Sequence, residues 1–320
     1  MRAIRVHEFG EPDVLRLETI DDLMPQRGQV VVRVRAIGVN PVDTYIRAGA
    51  YARKPDLPYT PGTDAAGTIE VVGEAVTKFK TGDRVYVAGT ISGAYAEFCL
   101  CDENQVQPLP ENINFEQGAG IYVPYATAYR ALFQKAGVKA GETVLIHGAS
   151  GGVGIAAVQW AKRAGLNIIG TGGSETGRRL IFENGAQYAL DHTLENYLDE
   201  AMKITDGRGV DVIIEMLANA NLDRDFGVLA GFGRVVIVGN RGRIEIDPRQ
   251  TMSKDAVVYG MSLWNTPDDQ MKEIHRAIGI GLENGALSPV IGQTLALADA
   301  RTAHYAILES GSQGKIVLIP

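Results

Sequence analysis

The sequence predicts an α/β protein of two domains, a compact β-barrel and a doubly wound parallel sheet. Three observations carry this. The first 124 or so residues are strand-rich and punctuated by glycine. From about 125 onward, helices and strands alternate over about 140 residues. Within that region Gly141–Gly165, GETVLIHGASGGVGIAAVQWAKRAG, reads as a buried strand, a glycine turn and a helix.

The composition fits that frame. A chain of 320 residues can bury a large core and divide in two. Hydrophobic residues make up 45% and charged residues 22%, the balance of an ordinary globular protein. A net charge of −7 argues against a general binder of nucleic acid or of anionic membranes. No apolar run approaches the roughly 20 residues of a membrane span. The N-terminus starts directly in an alternating strand pattern, with no signal peptide visible. Two cysteines make neither a disulfide framework nor a four-cysteine zinc site, and a cytoplasmic location is expected.

Taken in order, Arg2–His7 alternates, and Gly28 leads into QVVVRVRA, Gln29–Ala36, a period-2 strand. Gly38–Tyr51 is a loop and a short helical turn. Pro58–Val87 holds short apolar runs broken by Gly62, Gly67, Gly73 and Gly82, as a barrel with tight turns requires. Tyr95–Leu100 is a further strand. Tyr125–Gln134 then suits a helix, followed by strands at Thr143–His147, Asn167–Gly170, Tyr188–Leu190, Val210–Glu215, Arg234–Gly239 and Val257–Leu263. VDVIIE is a continuous apolar run of the kind buried on both faces. Helices are expected at Arg178–Asn184, capped by Gly185, at Leu194–Ile204 and at Asp268–Asn284, before a β-like tail.

The glycine turn is the chemical focus. A strand feeding a helix through glycines brings bare N–H groups to the positive end of the helix dipole, a seat for phosphate. The fingerprint G-x-G-x-x-G is met at Gly151 and Gly154 with Ala149 in the first place; G-x-x-G-x-x-G fits Gly148, Gly151 and Gly154. The acid expected on an adenosine ribose is missing from GTGGSETGRR, Gly170–Arg179. Ser174 offers a hydrogen bond there and Arg178 or Arg179 positive charge, which favours NADPH over NADH. Glu175 reads as a first-turn helix carboxylate.

Gly141, Glu142, Leu145, Ala149, Ser150, Gly151, Gly152, Gly154, Gln159 and Lys162 match a family signature in spacing throughout. VNPVDTYIRAGAYARKPDLPYTPGTDAAG, VPYATAYRAL and EMLANANL extend the likeness nearly end to end. On these residues the chain resembles the medium-chain dehydrogenases/reductases, and among them the quinone oxidoreductase, or zeta-crystallin, group. The resemblance implies a GroES-like barrel over 1–124 and 266–320, a Rossmann domain over 125–265, and a homodimer or homotetramer. It implies NADPH contacts at Tyr45, Ser150, Gly151, Gly152, Val153, Gly173, His192, Asn221, Val238, Gly239, Asn240, Arg241, Met261, Ser262 and Leu263. In those roles Ser150–Val153 offer N–H groups to the pyrophosphate, His192 lies at an adenine edge, and Met261–Leu263 supply main-chain groups to the nicotinamide amide. The implied reaction reduces quinones, releasing semiquinone one electron at a time.

Zinc-dependent alcohol dehydrogenases of the same superfamily place a cysteine where this chain has Asn40, and a histidine where it has Thr63. Catalytic zinc needs about three His, Cys or Glu-type ligands. Cys99 and Cys101 share one strand face and read as core residues, so no metal is expected. Without a Lewis acid the site suits acceptors that are already electron-poor.

Asn40, Tyr45, Tyr51, Tyr59 and Thr63, with Tyr125 and Thr127 from the domain junction, are the expected pocket, where hydroxyls and the Asn40 amide meet a quinone oxygen. His7, His147, His275 and His304 show no carboxylate partner in sequence and read as structural; catalysis would rest on positioning. Two other readings stay open. One is a zinc-free NADPH-dependent reductase of α,β-unsaturated aldehydes and ketones. The other is an RNA-binding or crystallin-like structural protein, disfavoured because 31 basic residues are scattered among 38 acidic ones.

Overall fold

The computed structural model describes residues 1–52, 54–309, 311 and 313–320. The chain divides into two compact units, Met1–Val123 with Gly279–Pro320, and Pro124–Ile278. The first division falls beside the expected 124/125 boundary. The second falls inside the helix Asp268–Glu283 rather than at 265/266.

The first unit is built on a seven-stranded sheet. Its order runs Ile291–Ala296, Lys315–Ile319, Gln29–Val39, Asp64–Val72, Arg84–Ala88 and Val106–Pro108, with Phe98–Asp102 also on Gln29–Val39. Gln29–Val39 is the organising strand because it pairs antiparallel with three others. Val30, Val32, Val34, Ile37 and Val39 feed the core, as strand alternation and a bulge allow. Cys99 and Cys101 are free and buried in that core, their sulfurs 3.9 Å apart. The C-terminal strand closes this sheet, Ile316 opposite Val39 and Leu318 opposite Ile37.

The second unit is a six-stranded parallel sheet in the order Tyr188–Leu190, Asn167–Thr171, Thr143–Ile146, Val210–Glu215, Leu229–Ile237, Val257–Gly260. The winding direction reverses at Thr143–Ile146, so its carboxyl end is the switch point where such sheets bind ligands. Val144, Leu145, Ile146, Val212, Ile213 and Ile214 are all buried, which is why these strands read as continuous apolar runs. The helix Gly152–Arg163 buries Ala156, Ala157, Trp160 and Ala161, with Trp160 set against Tyr129 and Phe133 and its Nε1 donating to Tyr125 O at 3.1 Å. Several expected elements shift at their ends: the strand expected at Tyr95–Leu100 lies at Phe98–Asp102, that expected at Val257–Leu263 ends at Gly260, and the helix expected from Arg178 begins at Glu175. The fifth strand begins at Leu229 rather than Arg234, and the helix expected from Leu194 begins at Tyr197, because turns from Asp191 to Leu194 and Leu194 to Tyr197 precede it. The junction segment winds from Tyr122 to Lys135 with π-helical turns on either side of Thr127–Tyr129. Among the described residues no helix is long and apolar enough to cross a membrane.

Candidate cofactor and substrate site

The glycine turn forms at the switch point. Gly148 has φ 55°, and its N–H donates to Thr171 Oγ1 at 3.1 Å. The Gly151 N–H donates to Gly148 O at 3.1 Å, and the first full helical bond runs from Ile155 N to Gly151 O at 2.8 Å. The N–H groups of Gly152, Val153 and Gly154 precede that bond, at the positive end of a helix running Gly152–Arg163. A Cβ on Gly154 would lie 2.3 Å from Gly148 O, so only glycine lets helix and turn approach this closely. The helix after the second strand starts beside this turn, since a Cβ on Gly177 would lie 3.2 Å from Ser150 Oγ.

That second helix, Glu175–Asn184, is capped by Ser174, whose Oγ accepts from Gly177 N at 3.1 Å. Glu175 lies in its first turn, as expected. Arg178 is ion-paired, its Nη1 2.7 Å from Asp191 Oδ2. Arg179 is exposed and only 3.8 Å from Glu183. Gly173 and His192 come together: a Cβ on Gly173 would lie 2.8 Å from His192 Nε2, while His192 Nδ1 is 3.3 Å from Thr171 Oγ1.

The residues expected further along gather at the carboxyl ends of the next two strands. Asn221 Nδ2 donates to Glu215 Oε1 at 3.2 Å. The N–H groups of Val238 and Gly239 donate to Glu215 O at 2.9 and 3.2 Å. A Cβ on Gly239 would lie 2.2 Å from Met216 O. The Arg241 N–H donates to Asn219 Oδ1 at 2.8 Å, and Asn240 Nδ2 to Gly242 O at 2.8 Å. Met261 departs from expectation in one respect. Its N–H donates to Ile237 O at 3.1 Å and is not free for a ligand, and Leu263 is buried.

Two histidines correct the reading that none has a carboxylate partner. His147 Nε2 lies 2.8 Å from Asp225 Oδ1 and 3.4 Å from Glu215 Oε2, all three side chains buried. His7 Nε2 lies 2.9 Å from Glu18 Oε1 on the facing strand. Burial works against an imidazolium at position 147, but Asp225 and then Glu215 outweigh it and raise its pKa. His275 and His304 are pushed down to about 4 and about 3 by burial, with Arg47 adding to the effect at His304.

In the first unit the expected pocket residues separate into two kinds. Asn40 precedes the helix Pro41–Arg47, and Asp43 reaches back to the Asn40 N–H at 2.9 Å. Its side chain does not point to an open pocket. The amide donates to Asp64 Oδ2 at 3.0 Å and accepts from Lys315 Nζ, which also lies 3.0 Å from Asp64 Oδ2. The Val123 N–H completes the Asp64 carboxylate at 3.1 Å. Beside this cluster Tyr95 OH bridges Asp43 Oδ2 at 3.3 Å and His304 Nε2 at 3.1 Å. Burial lifts Asp43 to about 7 against the Asn40 N–H, and lifts Asp64 against Lys315. Asn40 therefore anchors a buried polar cluster rather than presenting its amide to a substrate oxygen.

Tyr59 and Thr63 are the other kind. Tyr59 OH and Thr63 Oγ1 are buried without a hydrogen-bond partner among the described residues. Burial raises the Tyr59 pKa, so this phenol stays protonated at neutral pH and can donate. Tyr45 lies on the helix Pro41–Arg47, and Tyr51 follows it; both are half-buried. Thr127 and Tyr125 are buried in the second unit, where Tyr125 OH donates to Gln159 Oε1 at 2.9 Å. Lys315, Glu215 and Asp225 were not singled out from sequence.

Would zinc fit at Asn40, Thr63 and Asp64? An amide, a hydroxyl and one carboxylate already paired with an ammonium are a poor set for it. A dinucleotide fits better. Gly154 and Gly239 let backbone segments pack closer than any side chain would allow, the tight turns a dinucleotide seat needs at the carboxyl edge of a parallel sheet.

A two-domain protein with this barrel-type sheet and this dinucleotide seat is a medium-chain dehydrogenase/reductase by architecture. Residues 26–111 match the Alcohol dehydrogenase GroES-like domain family, and 152–278 match the Zinc-binding dehydrogenase family. The chain is 50% identical over 321 residues to a quinone oxidoreductase of Homo sapiens, covering 100% of this chain and 98% of the relative. It is 51% identical over 323 residues to that of Mus musculus, with the same coverage. The Escherichia coli quinone oxidoreductase solved in complex with NADPH superposes with a TM-score of 0.89 at 31% identity, covering 100% of each chain. The chain belongs to the quinone oxidoreductase family.

Proposed function

We propose that this protein reduces quinones using NADPH and no metal ion. The observation that carries this is the glycine turn at the sheet's switch point, where Gly154 packs against Gly148 O, in a chain half identical to named quinone oxidoreductases. When bound, NADPH supplies hydride to the acceptor. The chain's own residues do the rest. Gly152, Val153 and Gly154 present N–H groups to the pyrophosphate. Ser174 and the neighbouring Arg178 and Arg179 favour a 2′-phosphate, since no carboxylate stands at 172–174 to repel it. His192 and Gly173 border the adenine, and Asn221, Val238–Arg241 and Met261–Leu263 border the ribose and nicotinamide end.

Tyr59 and Thr63 are the substrate-facing hydroxyls, because their oxygens are buried without a partner among the described residues. Asn40 positions the loop that carries them. Metal independence is supported by Lys315, whose ammonium meets Asp64 and Asn40 beside the position where zinc relatives place ligands. A homo-oligomer is supported by the edge strand Val257–Gly260, where Val257 and Val258 are exposed beside Met252 and Phe232. A cytoplasmic location accords with the free cysteines.

Parallel assays test this reading: NADPH with 9,10-phenanthrenequinone or a benzoquinone, and NADPH with an alkenal or enone. Quinone turnover that survives chelation is expected. Turnover of the enone alone would move the function to the unsaturated-carbonyl reductases, and a gel shift at physiological salt would expose an RNA-binding role.

A further inference from the structure

Glu215 ends the fourth strand of the parallel sheet and is fully buried. It engages two segments that border the proposed cofactor. Its carbonyl oxygen accepts from Val238 N and Gly239 N at 2.9 and 3.2 Å. Its Oε1 accepts from Leu217 N and, at 3.2 Å, from Asn221 Nδ2. Three of these four donors belong to residues placed against NADPH above. The remaining oxygen, Oε2, faces His147, which itself donates from its main-chain N–H to Ile214 O at 3.1 Å and is followed directly by the glycine turn. One residue, through its main-chain carbonyl and its carboxylate together, thus touches the bases of three cofactor-facing segments.

The charges around it do not balance. Glu215 and Asp225 both face His147, so a single imidazolium meets two carboxylates in a site closed to water. Glu215 Oε2 and Asp225 Oδ2 have no hydrogen-bond partner among the described residues. The other charged or titratable groups here are Arg224 on the helix Ala218–Val228, Tyr197 at the start of Tyr197–Ile204, and His192 beyond the third strand. Arg224 lies over the Tyr197 ring at 5.5 Å, and Tyr197 meets His147 edge-on at 6.3 Å between centroids. A buried excess of negative charge is relieved by keeping one more proton.

We propose that Glu215 is a positioning residue for the cofactor: its main-chain carbonyl fixes Val238–Gly239, and a protonated carboxyl set against His147 and Asp225 holds the Leu217–Asn221 segment. Loss of that proton places a second uncompensated negative charge beneath a polyanionic ligand and weakens its binding. This inference rests on the cofactor reading above. Burial, opposed by His147 and reinforced by Asp225, sets the Glu215 carboxyl at about 7, within the range where an assay can see it.

The test is the dissociation constant for NADPH, read by nicotinamide fluorescence from pH 6.5 to 8.5, above the range where a phosphate monoester titrates (near ~6). Wild type is expected to weaken several-fold across this window. Glu215→Gln keeps an acceptor oxygen for Leu217 but cannot ionise, and its affinity should stay flat. A Gln variant with the wild-type pH slope overturns the proposal while leaving NADPH as cofactor; a wild type that binds no NADPH at any pH overturns the cofactor reading itself. Should Glu215→Gln not fold, Asp225→Asn serves in its place. With one carboxylate removed, Glu215 pairs with His147 and ionises below the window, so the slope should vanish; an unchanged slope overturns the proposal.

Discussion

Buried acids in the two units meet different counter-charges. In the first, Asp64 faces a permanent cation, Lys315, and each carboxylate oxygen has a donor. In the second, Glu215 and Asp225 face a titratable histidine, and one oxygen of each is left without a donor. A lysine ordinarily titrates far above neutrality, so the first arrangement acts as a brace. Histidine can gain or lose its charge near neutrality, so the second responds to protons. A residue pair's burial alone does not distinguish these outcomes; the partner's pKa and the count of satisfied oxygens do.

The strongest way to break the brace is Lys315→Met. It strands Asp64 without its cation, and a loss of about 3–5 kcal/mol in denaturant-induced unfolding is expected. Adding Asp64→Asn should restore most of it, since no buried charge then remains unpaired. Failure of the second change to rescue would mean that Lys315 acts through packing.

Next in size is acid sensitivity in the first unit. His304 sits at about 3, well below its usual range near 6.5, because burial disfavours its charged form. The unfolded chain takes up this proton below about 6.5 and the folded chain does not. The contribution is therefore whole above that pH and is lost as pH falls towards 3, at about 1.4 kcal/mol per unit from this group. His304→Gln should make stability fall less steeply between pH 6 and 4 in urea titrations. An unaltered slope would assign acid unfolding to other groups.

Gly239→Ala probes the second unit where the cofactor segments converge. Its Cβ would lie 2.2 Å from Met216 O, so the backbone must shift. Overpacking of this kind costs about 1–3 kcal/mol, and the KM for NADPH should rise with it. The smallest effect separates the two arginines. Arg178→Ala should raise the KM for NADPH more than for NADH, whereas Arg179→Ala, on an exposed side chain, should do so to a smaller extent. Equal responses would mean that the ion pair with Asp191 withholds Arg178 from the phosphate.

What was legible in the sequence was local. Continuous apolar runs marked the buried strands, and the glycines of the turn carried their own reason, since Gly154 meets Gly148 six positions back. Gly185 in the left-handed conformation followed from residue chemistry alone, whereas the capping role of Ser174 was not read. The buried polar clusters were hidden because they join positions far apart. Asp225 lies 78 residues from His147, and Lys315 lies 251 from Asp64. Neither spacing leaves a period to detect, and Lys315 reads in sequence as the unremarkable start of a tail. Asn40 was placed at the right loop but given the wrong work, since its neighbours Asp64 and Lys315 engage its amide.

The C-terminal strand Lys315–Ile319 lies against Gln29–Val39, the first long strand of the chain. During synthesis the second unit, continuous from Pro124 to Ile278, is complete before this strand exists. Domains fold as their residues emerge. The first unit must therefore wait with Ile37–Val39 unpaired on that side and Asp64 without its cation until residues 315–319 have emerged. Loss of Lys315–Ile319 would leave Ile37–Val39 with an exposed strand edge and Asp64 with an unpaired carboxylate together.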